Sequence, residues 1–216
     1  MSNWSLTSPQ EVGSIFGTPI GLVKIEQNTD ILQSANNNFE WIDNKSVSWN
    51  PSQVSKNMRI LESFPEIKKI LLDHFISFSD GVLGVNCNFE ITTSWLTKCE
   101  KGEESTLHLH GNSFWSGIYY YGENYCESSS IEFENPLVNH IRDYGFYIIP
   151  EKATPYNKLA ERVIPTKNML IMFPSYLKHR IVTHTSDIPR YSLAFNIVPI
   201  GHYGGGDSQY DTKWIT

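Results

Sequence analysis

The segment RYSLAFNIV, residues 190–198, alternates large apolar side chains with small or polar ones. Successive side chains of a β-strand point to opposite faces of the sheet, so this pattern predicts a strand with two unlike faces. One face carries Tyr191, Leu193, Phe195 and Ile197, and the other carries Arg190, Ser192, Ala194 and Asn196. The first set suits a packed core, whereas the second suits the lining of a cavity. For this strand taken alone, an ordinary solvent-exposed polar face is the alternative.

Further segments of β character follow Gly84. Short runs rich in Ile, Thr, Tyr, Phe and Trp recur between turn residues, as is typical of sandwiches and barrels. These runs are residues 88–97, 116–121, 130–134, 145–149, 169–173 and 180–183. Together with residues 190–198 they predict a mainly β fold, a sandwich or barrel whose flanking helices pack on one outer face.

The clearest helix precedes these strands. Ser63 with Glu66 three residues later fits a capping box, and the apolar residues that follow share one face of a helix. They are Ile67, Ile70, Leu71, Phe75 and Phe78. We expect this helix to lie against a sheet. Because the sequence has no convincing linker, we predict one domain over residues 1–216, mostly helical or irregular at 1–84 and with its β core at 85–200.

Composition narrows the possible functions. The 216 residues are 40% hydrophobic, enough for one domain with a sizeable core. The net charge is −6 and no dense basic stretch occurs, so we expect no nucleic-acid partner. The three cysteines have no CxxC spacing, which argues against disulfides or a cysteine zinc site and indicates a reduced, cytoplasmic protein. Residues 1–10 do not read as a signal peptide, and no run approaches the roughly 20 apolar residues of a membrane span. Neither export nor membrane insertion is expected.

Two histidines, His108 and His110, flank a single leucine. Residues two apart in a strand point to the same face about 6.6 Å apart, so both imidazoles can converge on one ion. The pair alone is a weak signal, because paired histidines also occur in solvated loops.

A third histidine is expected in the same cavity. His179 follows Phe-Pro-Ser at 173–175 and stands at the start of a predicted strand. The turn at 185–189 then predicts a hairpin that leads into Arg190 and brings Arg190 close to His179. Three imidazoles can hold one divalent transition metal, and Arg190 with Ser192 can bind a carboxylate.

With these residues in place, the chain resembles the iron(II)- and 2-oxoglutarate-dependent oxygenases, in particular small bacterial and phage proteins related to prolyl hydroxylases. Four segments carry the resemblance, and they occur in the expected order. They are HLHGNSFWSGIYY (108–120), IEFENP (131–136), LIMFPSYLKH (170–179) and RYSLAFN (190–196).

The resemblance implies a double-stranded β-helix, also called a jelly roll or cupin-like barrel, with iron at its open end. His108 and His179 match the family's metal-binding histidines. Arg190 and Ser192 match the R-x-S pair that binds the far carboxylate of 2-oxoglutarate. Tyr120 falls where prolyl-hydroxylase-like members have a tyrosine that hydrogen-bonds this cosubstrate.

His110 departs from the wider pattern, since most of the superfamily has aspartate or glutamate at this position. We interpret His110 as the third metal ligand, which leaves the local charge of the iron at +2. The alternative is that His110 points away, and that water or a distant carboxylate takes its place. Asn112 and Asn196 are further candidates for hydrogen bonds to ligands near the metal.

The activity implied is hydroxylation of a C–H bond with Fe(II) and 2-oxoglutarate as cofactors and with release of succinate and CO2. The substrate is expected to be a small molecule or a peptide, with peptidyl proline as the default. Two other functions stay open: a cupin-type metal enzyme that does not use 2-oxoglutarate, and a non-catalytic jelly-roll binding protein. Gly102 followed by His108 and His110 fits the opening of the cupin motif, but Phe114 and Trp115 stand where that motif expects a glutamate.

The remaining histidines have no paired ligand spacing. His74 lies in the predicted helix and is interpreted as a surface or packing residue. His140, His184 and His202 are each expected to be solvated. Trp95 is expected in the core rather than at the substrate. The sequence indicates no oligomeric state.

Overall fold

A computed structural model of the protein describes residues 17–27, 29–44, 50–123, 125–137, 151–154 and 157–212. The strands in these ranges are β1 (Gly21–Lys24), β2 (Trp41–Asp43), β3 (Gln53–Ser55), β4 (Asn88–Cys99), β5 (Trp115–Tyr119), β6 (Ile131–Glu134), β7 (Ala160–Val163), β8 (Met169–Pro174), β9 (His179–Ile181), β10 (Arg190–Tyr203) and β11 (Tyr210–Thr212). The helices are α1 (Asp30–Ala35) and α2 (Pro65–Phe78). Shorter turns of helix lie at Asn36–Asn38, Ile60–Ser63, Ser79–Leu83, Glu127–Ser129 and Gly206–Ser208.

The strands form two antiparallel sheets. The larger sheet has the order β1-β8-β5-β10-β4-β3-β2, and β11 pairs with the end of β10. The smaller sheet has the order β7-β6-β9, and a bridge between His108 and His179 extends it. Two sheets of this kind in a mostly antiparallel β protein are those of a double-stranded β-helix, so the predicted fold class is confirmed.

The two faces of β10 separate as the alternation predicts. Leu193, Phe195 and Ile197 belong to a core that also contains the buried side chains of α2. Ala194 belongs to a second core, together with residues of β5, β6 and β8. Full burial of one large apolar side chain contributes about 1.5–3 kcal/mol, so the first face fixes the strand's orientation. The second face, which includes Arg190 and Ser192, is therefore held toward the space between the two sheets.

The predicted stripe of α2 is confirmed, but its start is not. Ile67, Leu71 and Phe75 are buried against the larger sheet. However, the helix is capped by Phe64 without any side-chain hydrogen bond, and Ser63 ends the preceding turn of helix. The capping box predicted from Ser63 and Glu66 is therefore wrong. Pro65 at the first helical position explains the start, since its fixed φ is already helical and it has no N–H to satisfy.

Most predicted strands are present, at 88–99, 115–119, 131–134, 169–174, 179–181 and 190–203. The strand predicted at 145–149 lies outside the described residues. Within 17–84, the short strands β1, β2 and β3 extend both edges of the larger sheet and were not predicted. Strands of three or four residues are too short to show an alternation of side chains. That residues 1–216 form one domain stays a prediction.

The hairpin predicted between β9 and β10 is wrong. β9 pairs with β6 in the smaller sheet, whereas β10 pairs with β4 and β5 in the larger one. The intervening residues, 182–189, therefore cross from one sheet to the other. None of the helices in the part of the chain described here is long and apolar enough to cross a membrane.

Candidate metal centre and carboxylate clamp

The three histidines predicted as metal ligands lie together. His108, His110 and His179 each offer one ring nitrogen, and these nitrogens lie within 4.8 Å of one another. Backbone pairing sets this arrangement: the His108 N–H donates to His179 O at 3.0 Å, and the His179 N–H donates to His108 O at 2.9 Å. The His110 N–H donates to Ser175 O at 3.0 Å, and the His110 ring centroid lies 5.3 Å from that of His108 and 5.1 Å from that of His179. His110 therefore points toward the other two imidazoles and not away from them.

The hydrogen bonds of the three rings leave one nitrogen of each for a metal. His108 Nδ1 lies 2.8 Å from Thr106 O, and His179 Nδ1 lies 3.0 Å from Leu177 O. His110 Nδ1 lies 2.7 Å from Asn196 Oδ1. Because carbonyl oxygens only accept, each Nδ1 must carry the proton, and each Nε2 then presents a lone pair. This pattern is the one by which proteins orient metal-binding histidines, so the three residues fit a divalent transition metal.

Burial favours the neutral imidazoles of His110 and His179. Desolvation, together with the nearby His108, lowers the pKa of His179 to about 3. Desolvation also lowers the pKa of His110, against the opposing effect of its hydrogen bond to Asn196. A neutral imidazole is the form that binds a metal, so the site is ready for a cation at neutral pH. The group contains no carboxylate among the described residues, and three neutral ligands leave the full +2 charge on a bound ion.

Asn196 supports His110 through a small polar network. Its Nδ2 donates to Thr93 Oγ1 at 2.9 Å, which turns Oδ1 toward His110. Ser116 Oγ lies 3.1 Å from Asn196 Oδ1 and 2.9 Å from His110 Nδ1. Ser175 Oγ lies 2.8 Å from Ser116 Oγ. The sequence pattern indicates Asn196 as a candidate but gives no sign of the two serines. Ser116 is the cross-strand neighbour of Asn196, a pairing that becomes visible only once the strand register is known.

Asn112, the other candidate amide, is not part of this network. It is an exposed residue in the turn that follows His110. It does not line the cavity around the histidines.

Arg190 is buried beside Ser192 and Tyr120. Its side chain is 1% exposed. Its Nε donates to Ser129 O at 3.0 Å, its Nη1 to Ser192 Oγ at 3.3 Å and its Nη2 to Tyr120 Oη at 3.1 Å. The Tyr120 ring also lies 5.0 Å from Arg190 Cζ, and burial raises the pKa of the Tyr120 hydroxyl. Tyr120 is therefore neutral at physiological pH.

The buried guanidinium of Arg190 has only neutral acceptors. In the described ranges, no carboxylate forms an ion pair with Arg190. A buried charge without a counter-charge is costly, so a carboxylate from a ligand would compensate Arg190.

One cavity connects the histidines with Arg190. Its polar lining comprises Asn44, Thr97, Ser105, His108, His110, His179, Arg190 and Ser192, and its apolar lining comprises Trp95, Ile118, Ile131, Ile181 and Ala194. Asn196 and Arg190 lie toward opposite ends of the side chains by which β10 faces the cavity. Asn196 contacts His110 at one end, and Arg190 lies at the other. This arrangement can hold a metal and an elongated anion in line.

Trp95 and His184 do not lie where the sequence predicts. Trp95 is half-buried and lines the cavity, with its ring centroid 5.6 Å from that of His110, so it is not only a core residue. His184, expected to be solvated, is fully buried because the turn at 101–104 and the helical turn Glu127–Ser129 cover it. His202 is exposed beside Asp211, as expected, and His74 is half-buried on α2. His140 lies outside the described residues.

Comparisons with known proteins support an oxygenase. The chain matches the model of the family described as "Putative 2OG-Fe(II) oxygenase" over residues 93–196. This range begins in β4 and ends at Asn196, so it contains the three histidines, Arg190 and Ser192. No curated protein matches the sequence.

Solved structures share the fold at low sequence identity. An oxidoreductase of the 2OG-Fe(II) oxygenase family from Burkholderia pseudomallei is 11% identical with a TM-score of 0.56, covering 77% of this chain and 76% of that one. HygX from Streptomyces hygroscopicus, with nickel, 2-oxoglutarate and hygromycin B bound, is 13% identical with a TM-score of 0.56, covering 84% and 83%. A Pseudomonas putida prolyl-4-hydroxylase is 10% identical with a TM-score of 0.56, covering 85% and 94%.

A double-stranded β-helix with convergent imidazoles and a buried guanidinium in one cavity is typical of metal-dependent oxidoreductases that bind a carboxylate ligand. The family match supports the 2OG-Fe(II) oxygenase superfamily, which is the one that the sequence resemblance predicts. The family match and the three convergent histidines indicate a 2-oxoglutarate-dependent oxygenase that uses Fe(II) and 2-oxoglutarate.

Proposed function

We propose that this protein hydroxylates a C–H bond of a small-molecule or peptide substrate, with His108, His110 and His179 holding Fe(II). In the same proposal, Arg190, Ser192 and Tyr120 hold the far carboxylate of 2-oxoglutarate. When bound, Fe(II) and 2-oxoglutarate supply dioxygen activation, with succinate and CO2 as the products of the keto acid. The observation that carries the proposal is the buried Arg190, whose bonds all go to neutral acceptors in the cavity that the histidines line.

Hydrogen bonds orient each of the three histidines toward the proposed metal. Each Nδ1–H is held by an oxygen, so each Nε2 is free to donate its lone pair. The backbone bonds between His108 and His179 set the spacing of two ligands, and Asn196 sets the orientation of the third. Because no protein carboxylate joins this group in the described residues, the metal keeps its full charge and attracts an anionic cosubstrate.

The clamp residues orient the cosubstrate. Arg190 can bond both oxygens of one carboxylate through its planar guanidinium, which the point charge of a lysine cannot do. The Ser192 hydroxyl lies beside it and can donate a further hydrogen bond to the same carboxylate. Tyr120 accepts from Nη2 and stacks against Cζ, which fixes the plane of the guanidinium.

The cavity wall favours a neutral part of the substrate near the metal. Trp95, Ile118, Ile131, Ile181 and Ala194 line it, and Arg190 is its only formally charged lining residue among those described. An apolar wall with an aromatic face excludes water and binds aliphatic carbon. HygX, a structural neighbour, was crystallised with the small molecule hygromycin B, and another neighbour is a prolyl-4-hydroxylase. Both a small metabolite and peptidyl proline are consistent with this wall.

The proposal is tested first by anaerobic titration of the protein with Fe(II) and then with 2-oxoglutarate. We expect one equivalent of metal to bind and the weak visible charge-transfer band of the chelate to appear on addition of the keto acid. In air, 2-oxoglutarate should then be converted to succinate. Metal uptake without any effect of 2-oxoglutarate would favour the cupin-type alternative, and absence of metal uptake would favour a binding protein. Either result would refute the proposal.

The substrate is sought by the same succinate assay. Pools of proline-containing peptides and of neutral metabolites are added, and stimulation of succinate formation over the substrate-free rate identifies the active pool. Trp95→Ala is the matched variant, because it alters the wall while leaving the histidines and Arg190 in place. Substrate stimulation should decrease in this variant while metal and 2-oxoglutarate binding are retained.

A further inference from the structure

His184 is a fully buried histidine outside the metal centre, and both of its ring nitrogens have partners. Nδ1 lies 3.1 Å from Ser128 O and 3.4 Å from Ser128 Oγ, and Nε2 lies 2.9 Å from Ile188 O. The backbone N–H of His184 donates to Glu103 O at 2.9 Å, and its carbonyl accepts from the Gly102 N–H at 2.7 Å. One residue thus joins three segments that are far apart in sequence.

These three segments surround Arg190. The helical turn Glu127–Ser129 provides Ser129 O, which accepts from Arg190 Nε. The turn at 101–104 follows Cys99, the cross-strand partner of Arg190 in β4. Ile188 precedes Arg190 by two residues in the crossing between the two sheets. The position of the guanidinium therefore depends on how Ser128 and Ile188 are held relative to each other.

The hydrogen-bond geometry shows how the imidazole can do this. A neutral imidazole donates through one nitrogen only. Nε2–H donates to Ile188 O at 2.9 Å, the shortest of the side-chain contacts, and Nδ1 then accepts from the Ser128 hydroxyl at 3.4 Å. The Ser128 carbonyl oxygen, 3.1 Å from Nδ1, receives no hydrogen bond from the ring in this tautomer. In this state the ring is a rigid bridge between the segment that accepts from Arg190 and the segment that leads into it. Its complete burial means that water does not compete for either bond.

We propose that His184 is a positioning residue for Arg190, which holds the guanidinium where the far carboxylate of 2-oxoglutarate binds. This inference rests on the proposed function. It goes beyond the metal centre and the clamp, because the hydrogen bonds of the His184 ring in the described residues go to Ser128 and Ile188. Ligand groups displaced by about 1 Å can cost on the order of a hundredfold in function. Loss of the bridge should therefore weaken the binding of 2-oxoglutarate and leave the binding of Fe(II) unchanged.

The test compares His184→Leu with His184→Gln. Leucine fills the space without any hydrogen bond, whereas the glutamine amide can donate to Ile188 O and accept from Ser128 Oγ. In the Fe(II)-loaded protein we expect His184→Leu to raise the Kd of 2-oxoglutarate about 10- to 100-fold. His184→Gln should restore most of this affinity, and the Fe(II) affinity should stay close to that of the wild type in both. His202→Leu is the matched control, since His202 is an exposed histidine, and it should not change either constant.

A second measurement needs no metal. Hydrogen exchange of residues 185–192 in the metal-free protein should be faster in His184→Leu than in the wild type and should be slowed again in His184→Gln. If His184→Leu does not fold, His184→Asn replaces it, because the shorter amide cannot span from Ser128 to Ile188. It should bind 2-oxoglutarate more weakly than His184→Gln does.

The possible results separate the two proposals. If the wild type binds no 2-oxoglutarate, the proposed function fails, whatever the His184 variants do. If the wild type binds it and His184→Leu, or His184→Asn in its place, binds it with the same Kd, the positioning role is refuted while the proposed function stands. A lower Tm with an unchanged Kd would also refute it, because that is the result of a purely structural role.

Discussion

Replacing Asn196 by alanine should weaken Fe(II) binding, although Asn196 is not one of the proposed metal ligands. Asn196 Oδ1 accepts from His110 Nδ1 at 2.7 Å, and this bond fixes the tautomer that presents Nε2 to the ion. Substitutions of such supporting residues typically cost 10- to 100-fold in metal affinity, which is about 1.4–2.7 kcal/mol. Ser116 Oγ lies 2.9 Å from the same nitrogen and can accept in place of the amide. We therefore expect Asn196→Ala to raise the Kd of Fe(II) about 10-fold, and the double change with Ser116→Ala to raise it about 100-fold.

The assay is an anaerobic competition titration of Fe(II) against a chromogenic chelator. Asn112→Ala is the matched control, because Asn112 is an exposed asparagine just after His110 and outside the network. Asn196→Asp supplies a second comparison: a carboxylate accepts the same bond more strongly and adds negative charge near the ion, so its Fe(II) affinity should equal or exceed that of the wild type. If Asn196→Ala binds Fe(II) as the wild type does, or if Asn112→Ala weakens it equally, this account of His110 is wrong.

Three further predictions concern the clamp and the core. Arg190→Ala should lower 2-oxoglutarate affinity by about 2–5 kcal/mol, roughly 30-fold to several thousand-fold, with the bound Fe(II) unchanged; equal 2-oxoglutarate affinity in a titration would remove Arg190 from the site. Tyr120→Phe removes one acceptor from Nη2 of Arg190, so it should weaken 2-oxoglutarate binding by about 10- to 100-fold in the same titration. A larger loss of affinity than that caused by Arg190→Ala would contradict this prediction. Gly117→Ala places a methyl group against the Phe195 ring, which should destabilise the fold by about 1–3 kcal/mol in denaturant titrations, whereas Gly81→Ala meets no atom within 4 Å and should not.

The parts of the fold that follow from the sequence are those with a long, regular pattern. The alternation in residues 190–198 predicts both faces of β10, and the apolar period of residues 67–78 predicts the buried side of α2. These patterns are reliable because burial of many side chains decides the orientation of a whole element. Strands as short as β2 and β3, of three residues each, carry too few side chains for such a pattern.

The parts of the site that the sequence leaves out depend on contacts between distant segments. The spacing of His108 and His110 indicates a metal pair, but the role of Asn196 depends on its neighbour Ser116 across the sheet. His184 has no partner at a recognisable spacing, and its burial results from segments some 55 and 80 residues upstream. The turn at 185–189 has the composition of a hairpin, yet β9 finds its hydrogen-bonding edge in β6 and not in β10.

That crossing between sheets has a mechanical consequence. His179 belongs to the smaller sheet and Arg190 to the larger one. A keto diacid that reaches from the ion to the guanidinium would therefore connect the two sheets. Occupancy of the cavity would then resist any sliding or parting of the two layers. At a ligand concentration 100 times its Kd, such linkage adds about 2.7 kcal/mol to the free energy of unfolding. The Tm of the protein with metal and keto acid bound should therefore be higher than that of the empty protein.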